Sequence, residues 1–282
     1  EQIQGLFDRT VYENKFGTVA VITNSKDPTL KVIEITPYRL ESKYSDKRHP
    51  DSVSFTNNIE EDLKRRDFTI NAMAIDMKSK THEIIDLFEG QKDLKNKIIK
   101  TVGNPEDRFN EDALRILRAI RLSSELGFEV IHETQKAIKK QAHLLEMIAK
   151  ERINDEFSKI LMSDNPDKAL EIMRETGILK HIMPELEKGY GIKQNKDHKY
   201  EVWEHGIKAL LHAVKNNYPL EVRMASLLHD IGKPHARRWS KKKNDWTFYG
   251  HDVIGAKIAV KVLSNLKYSK KFIELTTKLV RY

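Results

Sequence analysis

Residues 61–74 read EDLKRRDFTINAMA, a cluster of charges followed by a short apolar segment. Arg65, Arg66 and Asp67 come directly before the apolar residues, where the pattern predicts the start of a short helix. A guanidinium group presents a planar set of donors that suits phosphate oxygens, so the two arginines are candidates for binding a phosphorylated ligand. Asp67 stands where an N-cap residue would stand. Its carboxylate could both cap the helix and take part in the ligand site.

The residues before this stretch predict strands. Residues 16–22 and 30–38 are rich in β-branched and aromatic residues, and the turn-forming residues 24–28 lie between them, which predicts a hairpin. Residues 82–87 are a third strand candidate. Residues 41–58 are polar and contain a proline, which predicts a mobile loop.

A helical period begins near residue 105. Leu114, Leu117 and Ile120 follow helical spacing, and we expect Pro105 to open the first helix and Gly127 to end it. Further helices are expected at about 132–143, 145–162 and 166–176, and again from about residue 201, after a polar linker at 189–199. The expected fold class is therefore α+β, with strands first and helices afterwards.

Composition limits the classes of protein. A chain of 282 residues is long enough for two or more domains. The net charge of +8 favours a polyanionic partner such as nucleic acid, or simply a basic protein. The sequence has no cysteine, which excludes disulfides and thiolate metal sites and suits a reducing cytoplasm. It has no apolar run of about 18 residues, and a membrane partner is not expected.

Residues 111–115 read EDALR and offer complementary hydrogen-bonding groups. Asp112 and Arg115 are three residues apart, so on one helix they would share a face. Asp only accepts hydrogen bonds and Arg only donates them, which matches the amino donor and ring-nitrogen acceptor of cytosine and adenine. A surface ion pair is the alternative interpretation.

Residues 227–233 read LLHDIGK and place His229 and Asp230 at the end of an apolar helix. Together with the distant His205 they offer mixed nitrogen and oxygen ligands for a divalent metal. His251 and Asp252 are additional candidates.

Three stretches in this order, 61–74, 111–115 and 151–156 (ERINDE), resemble motifs of the tRNA nucleotidyltransferase and bacterial poly(A) polymerase family. The LLHDIGK stretch resembles the HD phosphohydrolase superfamily. The resemblance covers essentially the whole chain. It implies a nucleotidyltransferase head at 1–104, a helical neck that binds nucleotide and RNA at 105–163, a helical body and linker at 164–198, and an HD domain at 199–282.

The resemblance implies template-independent addition of CMP and AMP, from CTP and ATP, to the 3′ end of tRNA, with Mg²⁺ as cofactor. Glu34, on a strand between Ile33 and Ile35, matches a catalytic metal ligand of the family; an exposed Glu on an edge strand is the alternative. The family's other two carboxylates come from a DxD pair after a Gly-Gly turn, which does not occur before Phe16. Because the chain starts at Glu1 and stops at Tyr282 within a helical pattern, we expect either a fragment or a sequence that omits residues at both ends.

The other site residues follow from the same resemblance. Arg65, Arg66 and Asp67 would contact the ribose and triphosphate with Asn71 nearby, and Asp112 and Arg115 would select the base. Basic helical surfaces would hold the tRNA.

Residues 44–50 (YSDKRHP) resemble the flexible loop of enzymes that add the terminal A, with Asp46 and Arg48 as its candidates. His205, His229 and Asp230 would hold Mn²⁺ or Ni²⁺ in the HD domain; a structural or degenerate HD domain is the alternative. Four alternatives stay open: an A-adding enzyme, a poly(A) polymerase, a metal-dependent HD phosphohydrolase with an RNA-binding head, and an inactive RNA-binding remnant. The oligomeric state is also open.

Overall fold

The computed structural model describes residues 2–13, 17–41, 52–78, 80–196 and 198–282. The strands are β1 (Thr10–Glu13), β2 (Thr18–Ile22), β3 (Val32–Ile35), β4 (Arg39–Glu41), β5 (Val53–Phe55), β6 (Met73–Ile75), β7 (Ile84–Asp86), β8 (Ile98–Ile99), β9 (Glu129–Val130), β10 (Arg238–Ser240) and β11 (Asp245–Thr247). The helices are α1 (Ile59–Lys64), α2 (Gly90–Lys95), α3 (Pro105–Glu111), α4 (Leu114–Leu126), α5 (His132–Gln141), α6 (Lys150–Met162), α7 (Pro166–Glu175), α8 (Ile178–Ile182), α9 (Pro184–Glu187), α10 (Val202–Lys215), α11 (Leu220–Leu228), α12 (Lys233–Ala236), α13 (His251–Asn265) and α14 (Lys270–Arg281). Within these described ranges, no helix has the length and apolar composition needed to cross a membrane.

The predicted hairpin is confirmed. Strands β2 and β3 pair antiparallel, with Ala20 opposite Glu34, and β1 pairs with the other edge of β2. The strand β3 is shorter than predicted because residues 28–30 form a 3-10 turn, which Asp27 caps by accepting a hydrogen bond from the Thr29 amide. On β2, Val19 and Val21 are buried while Ile22 is exposed.

The remaining strands form two-stranded sheets. The third predicted strand is confirmed as β7, which pairs antiparallel with β6. The segment 41–58 is not wholly loop, because β4 and β5 pair antiparallel at its ends. Strand β8 pairs parallel with β9 and so links the first region to the helices. Strands therefore precede a helical region, and the α+β class is confirmed.

The first long helical stretch has the predicted ends but is broken in the middle. Pro105 opens α3 behind the capping residue Asn104, and Gly127 ends α4 in the left-handed region with φ of 68°. Between the two helices, Asp112 is extended (φ −137°, ψ 106°) and its Oδ1 accepts a hydrogen bond from the Leu114 amide at 3.0 Å. A side chain that binds a nearby backbone amide competes with the helix, so Asp112 and Arg115 do not lie on one continuous helix as predicted.

The later helices also differ in detail from the sequence pattern. A 3-10 segment at residues 142–147 separates α5 from α6, so α6 begins five residues later than expected. The region after residue 201 is helical as predicted, but it contains the unpredicted antiparallel hairpin β10–β11.

One hydrophobic core extends from Phe68 to Val280 and includes residues of α4, α6, α7, α11, α13 and α14. Helix α11 packs against both α6 and α14, which joins the neck to the C-terminal helices. A polar contact crosses the same boundary, where Ser158 Oγ and Tyr268 Oη lie 2.9 Å apart, and burial raises the pKa of Tyr268 to about 12. The helices α4, α6, α7, α11, α13 and α14 thus share one hydrophobic core.

Candidate active site

A cavity of about 520 Å³ lies where the turn after α1 meets the break between α3 and α4. All six residues predicted to bind the nucleotide line it. Its described lining residues are Arg65, Arg66, Asp67, Asn71, Asp112, Leu114, Arg115, Arg118 and Arg152. Five arginines and two aspartates give the wall a net positive charge, which favours a polyanionic ligand such as a triphosphate.

Asp62 fixes the two arginines of the RRD stretch. Its side chain is buried and accepts hydrogen bonds from Arg65 at 2.6 Å and Arg66 at 3.1 Å, and also from the Arg39 amide at 3.3 Å. Burial alone raises the pKa of Asp62, but the two arginines outweigh it and lower the pKa below its ordinary value. Asp62 has no role in the predictions from the sequence, although its spacing of three and four residues before the arginines is that of helical neighbours.

Asp67 is not a helix N-cap. The following apolar residues form a 3-10 turn at 69–71, whose N-cap position is Phe68. Asp67 Oδ2 instead accepts hydrogen bonds from Arg118 Nε at 2.8 Å and Nη2 at 2.6 Å. Burial alone lowers the pKa of Arg118, but the charge of Asp67 raises it above its ordinary value. Arg118 was missed by sequence reasoning, and its only signal is its position one turn after Arg115.

Asp112 and Arg115 face the same cavity but do not pair with each other. Arg152 of α6 donates to Asp112, with Nη2 2.8 Å from Oδ2. Arg115 donates to Glu111 Oε2 at 2.5 Å and to the Arg65 carbonyl at 3.1 Å. The alternative of a surface Asp112–Arg115 ion pair is therefore wrong. Each charge is held by another partner, so an acceptor and a donor stand at fixed positions on one wall.

Glu34 lies close to this cavity, on the exposed edge strand β3. It lines a smaller cavity of about 330 Å³, of which Arg65 and Arg66 also form part. Mg²⁺ is usually held by one or two carboxylates together with substrate phosphates, so Glu34 fits as one ligand. The oxygens of the neighbouring Asp62 are already engaged by arginines. The loop candidates Asp46 and Arg48 lie outside the described residues.

The predicted metal ligands of the C-terminal part come together. His205 on α10, His229 and Asp230 offer ligand atoms that all lie within 4.8 Å of one another. His229 Nε2 is 3.3 Å and His205 Nε2 is 3.7 Å from Asp230 Oδ2. His229 Nδ1 lies 2.8 Å from the Ser226 carbonyl, a contact that leaves Nε2 toward the cluster. A mixed nitrogen and oxygen donor set suits a transition metal.

Lys233 shares this cluster. Its buried Nζ donates to Asp230 Oδ2 at 2.7 Å and to Gln194 Oε1 at 2.5 Å. Burial alone raises the pKa of Asp230, but hydrogen bonds from His229 and Lys233 lower it far below its ordinary value. The carboxylate is therefore negatively charged, and its Oδ2 is paired with Lys233.

The two additional metal-ligand candidates, His251 and Asp252, have different partners. His251 lies beside the cluster, with Nε2 3.6 Å from Asp230 Oδ1 and Nδ1 2.8 Å from the Phe248 carbonyl. Asp252 pairs instead with Arg281. Both residues line the surrounding cavity, which has a volume of about 780 Å³.

Three family models match the chain in succession. They are the poly A polymerase head domain at residues 1–100, the probable RNA and SrmB-binding site of polymerase A at 127–189, and the HD domain at 197–282. Together they cover most of the sequence.

Curated relatives carry one name. The chain is 50% identical over 182 residues to the CCA-adding enzyme of Ligilactobacillus salivarius, which is 64% of this chain and 43% of that enzyme. It is 44% identical over 183 residues to the CCA-adding enzyme of Bacillus subtilis, which is 64% of this chain and 44% of that enzyme. The chain thus spans less than half the length of these relatives.

Solved structures agree in fold. The Bacillus stearothermophilus CCA-adding enzyme in complex with CTP matches 98% of this chain and 70% of its own, with 30% identity and a TM-score of 0.59. The Thermotoga maritima CCA-adding enzyme complexed with tRNA matches 99% of this chain and 66% of its own, with a TM-score of 0.59. Its 21% identity supports the fold alone.

Proposed function

Since the chain belongs to the family of CCA-adding enzymes and poly(A) polymerases, we propose that the protein adds CMP and AMP to the 3′ end of tRNA without a nucleic acid template. The observation that carries this proposal is the cavity of about 520 Å³, on which six residues from two distant stretches meet. CTP and ATP are the proposed nucleotide substrates.

The charges of the cavity support a division of roles. Arg65 and Arg66, oriented by Asp62, would bind the triphosphate, with Asp67 and Asn71 beside the ribose. Asp112 would accept a hydrogen bond from the amino group of cytosine or adenine, and Arg115 would donate to the neighbouring ring nitrogen. Uracil and guanine present the reverse order, which leaves buried polar groups unpaired at a cost of about 1–3 kcal/mol each.

Glu34 would be one of the ligands of Mg²⁺. When bound, the metal neutralises charge on the triphosphate and activates the 3′-hydroxyl of the RNA. We propose that tRNA lies along the basic surfaces of the helices at 105–163, contacted mainly through its phosphates and shape. We propose that the rest of the chain is divided into a head at 1–104, a body at 164–198 and an HD domain at 199–282. The proposed location is the cytoplasm.

The decisive experiment offers the full-length protein three tRNA substrates that end before CCA, after C and after CC, each with single nucleoside triphosphates. The proposal predicts CMP addition to the first two and AMP addition to the third. An A-adding enzyme would extend only the third, and a poly(A) polymerase would add many AMP residues. Either of these patterns would refute the CMP step.

Nucleotide binding tests the cavity separately from transfer. Calorimetry should show that the chain binds CTP and ATP more tightly than UTP and GTP. Arg66→Ala should weaken binding of all four, because the triphosphate contact does not depend on the base. Lys208→Ala, on α10 and outside the cavity residues, is the matched control.

The cluster of His205, His229 and Asp230 favours a second candidate function, a metal-dependent phosphohydrolase. Release of phosphate from nucleoside monophosphates with Mn²⁺ or Ni²⁺ would support it. An inactive protein that nonetheless binds these ions would indicate a structural metal site.

A further inference from the structure

A short hairpin carries an unusual concentration of charge beside the metal cluster. The segment 237–249 reads RRWSKKKNDWTFY, with five cations and one acid, so its net charge is +4. This is half of the net charge of +8 in the whole chain. Lys241, Lys242 and Lys243 lie in the exposed turn between β10 and β11, where three adjacent positive charges favour a polyanionic partner.

Exposed aromatic rings lie among these cations. Trp239 and Trp246 face each other across the strands, with ring centroids 5.3 Å apart in an edge-on arrangement. The Arg237 guanidinium stacks on Trp246 at 3.8 Å from the ring centroid and holds that indole in place. Trp239 remains 51% exposed and Tyr249 remains 74% exposed.

The hydrophobic core does not explain these rings. In the described C-terminal part, no apolar side chain between Ile231 and Ile258 belongs to the core cluster or packs against it. An isolated two-stranded hairpin is only marginally stable in water, so packing alone gives little reason to place two tryptophans there. Cations alternating with exposed aromatic rings are the composition of surfaces that bind single-stranded nucleic acid through phosphates and stacked bases.

The hairpin lies beside the cavity that contains the metal cluster. Lys243, Trp246 and Tyr249 all line the cavity of about 780 Å³ that contains His205, His229 and Asp230. The hairpin is tied to another lining segment of this cavity, because Asp245 Oδ2 accepts a hydrogen bond from the Lys196 amide at 3.0 Å. One cavity therefore contains both hairpin residues and the metal cluster.

We propose that the hairpin of residues 237–249 binds a single-stranded RNA segment and leads it toward the cavity of the HD domain. Its unpaired bases stack on Trp239 and Tyr249, and its phosphates lie against the lysine turn. This surface is separate from the nucleotide cavity and does not depend on the proposed transferase activity. An anionic membrane is the competing partner and is an outcome of the test.

The experiment measures binding of a fluorescent 12-nucleotide single-stranded RNA by anisotropy at several salt concentrations. The variant Lys241→Gln/Lys242→Gln/Lys243→Gln should reduce the slope of log affinity against log salt by about 2, since each lost phosphate contact accounts for about 0.7. Trp239→Ala should weaken binding roughly tenfold with an unchanged slope, because stacking releases no counterions. Trp239→Phe should keep most of the affinity.

The controls separate this surface from general charge and from the nucleotide site. Lys261→Gln/Lys270→Gln/Lys271→Gln removes the same charge from exposed lysines of the same domain and should leave the slope unchanged. Arg115→Ala with Arg152→Ala in the nucleotide cavity should leave the effect of the hairpin variants intact. Equal losses in the two lysine triples, equal affinity for a duplex RNA, or hairpin-dependent binding only to anionic phospholipid vesicles would overturn the proposal.

Discussion

Arg152 on α6 donates to the carboxylate of Asp112, with Nη2 2.8 Å from Oδ2, although the two residues are 40 positions apart. The contact fixes an acceptor on the cavity wall, since Asp112 lies in an extended break between two helices. Arg152→Ala should therefore weaken CTP and ATP binding about tenfold and reduce the preference over UTP and GTP. Arg152→Lys keeps the charge but loses the planar fork, so it should restore only part of the preference. Calorimetry with all four nucleotides measures both effects, and unchanged selectivity in Arg152→Ala would refute the positioning role.

Removing either proposed base contact should relax the choice of base. Asp112→Ala or Arg115→Ala should increase incorporation of UMP and GMP relative to CMP and AMP as well as slow the reaction. The reason is that the acceptor and donor match only one order of groups on the base. Primer extension by the full-length protein with each nucleotide gives the ratio. If both variants retain wild-type discrimination, another part of the protein selects the base.

The ion pair between Asp67 and Arg118 should position the nucleotide pocket. Arg118→Ala leaves the half-buried Asp67 without its partner, so we expect a loss of about 1–3 kcal/mol in the free energy of unfolding and weaker nucleotide binding. The double variant Asp67→Asn with Arg118→Gln removes both charges and should recover part of the stability. Urea unfolding distinguishes the two cases, and equal stability of the single and double variants would contradict the coupling.

Asp62 predicts a dependence of stability on pH. Its pKa is lowered in the folded protein, so its ion pairs stabilise the fold above the ordinary value of 3.8 and lose this effect as the pH falls through the lowered value. Asp62→Asn should therefore cost about 1–3 kcal/mol at pH 7 and less at an acidic pH below 3.8. Unfolding at both pH values provides the comparison, and a pH-independent difference would indicate a packing defect instead.

The two sites should be separable. The double variant His229→Ala with Asp230→Ala should abolish binding of Mn²⁺ or Ni²⁺ in calorimetry and leave CTP and ATP binding unchanged. Its thermal unfolding must first be shown to resemble that of the unaltered protein, because Asp230 also holds the buried Lys233. A well-folded double variant that loses nucleotide binding as completely as Arg66→Ala would show that the sites are coupled.

The sequence identified residues that line the cavity of about 520 Å³ better than it identified the contacts between them. Arg65, Arg66 and Asp112 could be proposed because residue type and local spacing carry their chemistry. The partners Arg118 and Arg152 are contributed by other helices, 51 and 40 residues from the aspartates that they bind. Such contacts arise only when the helices pack, and no periodic pattern along the chain encodes them.

The secondary structure shows the same contrast between features encoded locally and features that depend on other contacts. Pro105 and Gly127 marked helix ends correctly, because their backbone restrictions act locally. The break at Asp112 was not predicted, since it depends on a side-chain hydrogen bond to the Leu114 amide that competes with the helix. The hairpin at 238–247 was also missed, because each of its strands has only three residues, too few to show an alternating pattern.

The core shared by the neck and the C-terminal helices has a mechanical consequence. A hinge between α6 and α11 would expose buried side chains of both helices, at about 25 cal/mol for every Å² of apolar surface uncovered. The cavity of about 520 Å³ and the metal cluster therefore belong to one packed unit. If both proposals hold, an RNA end reaches the second site by release and rebinding, without the swing of a domain.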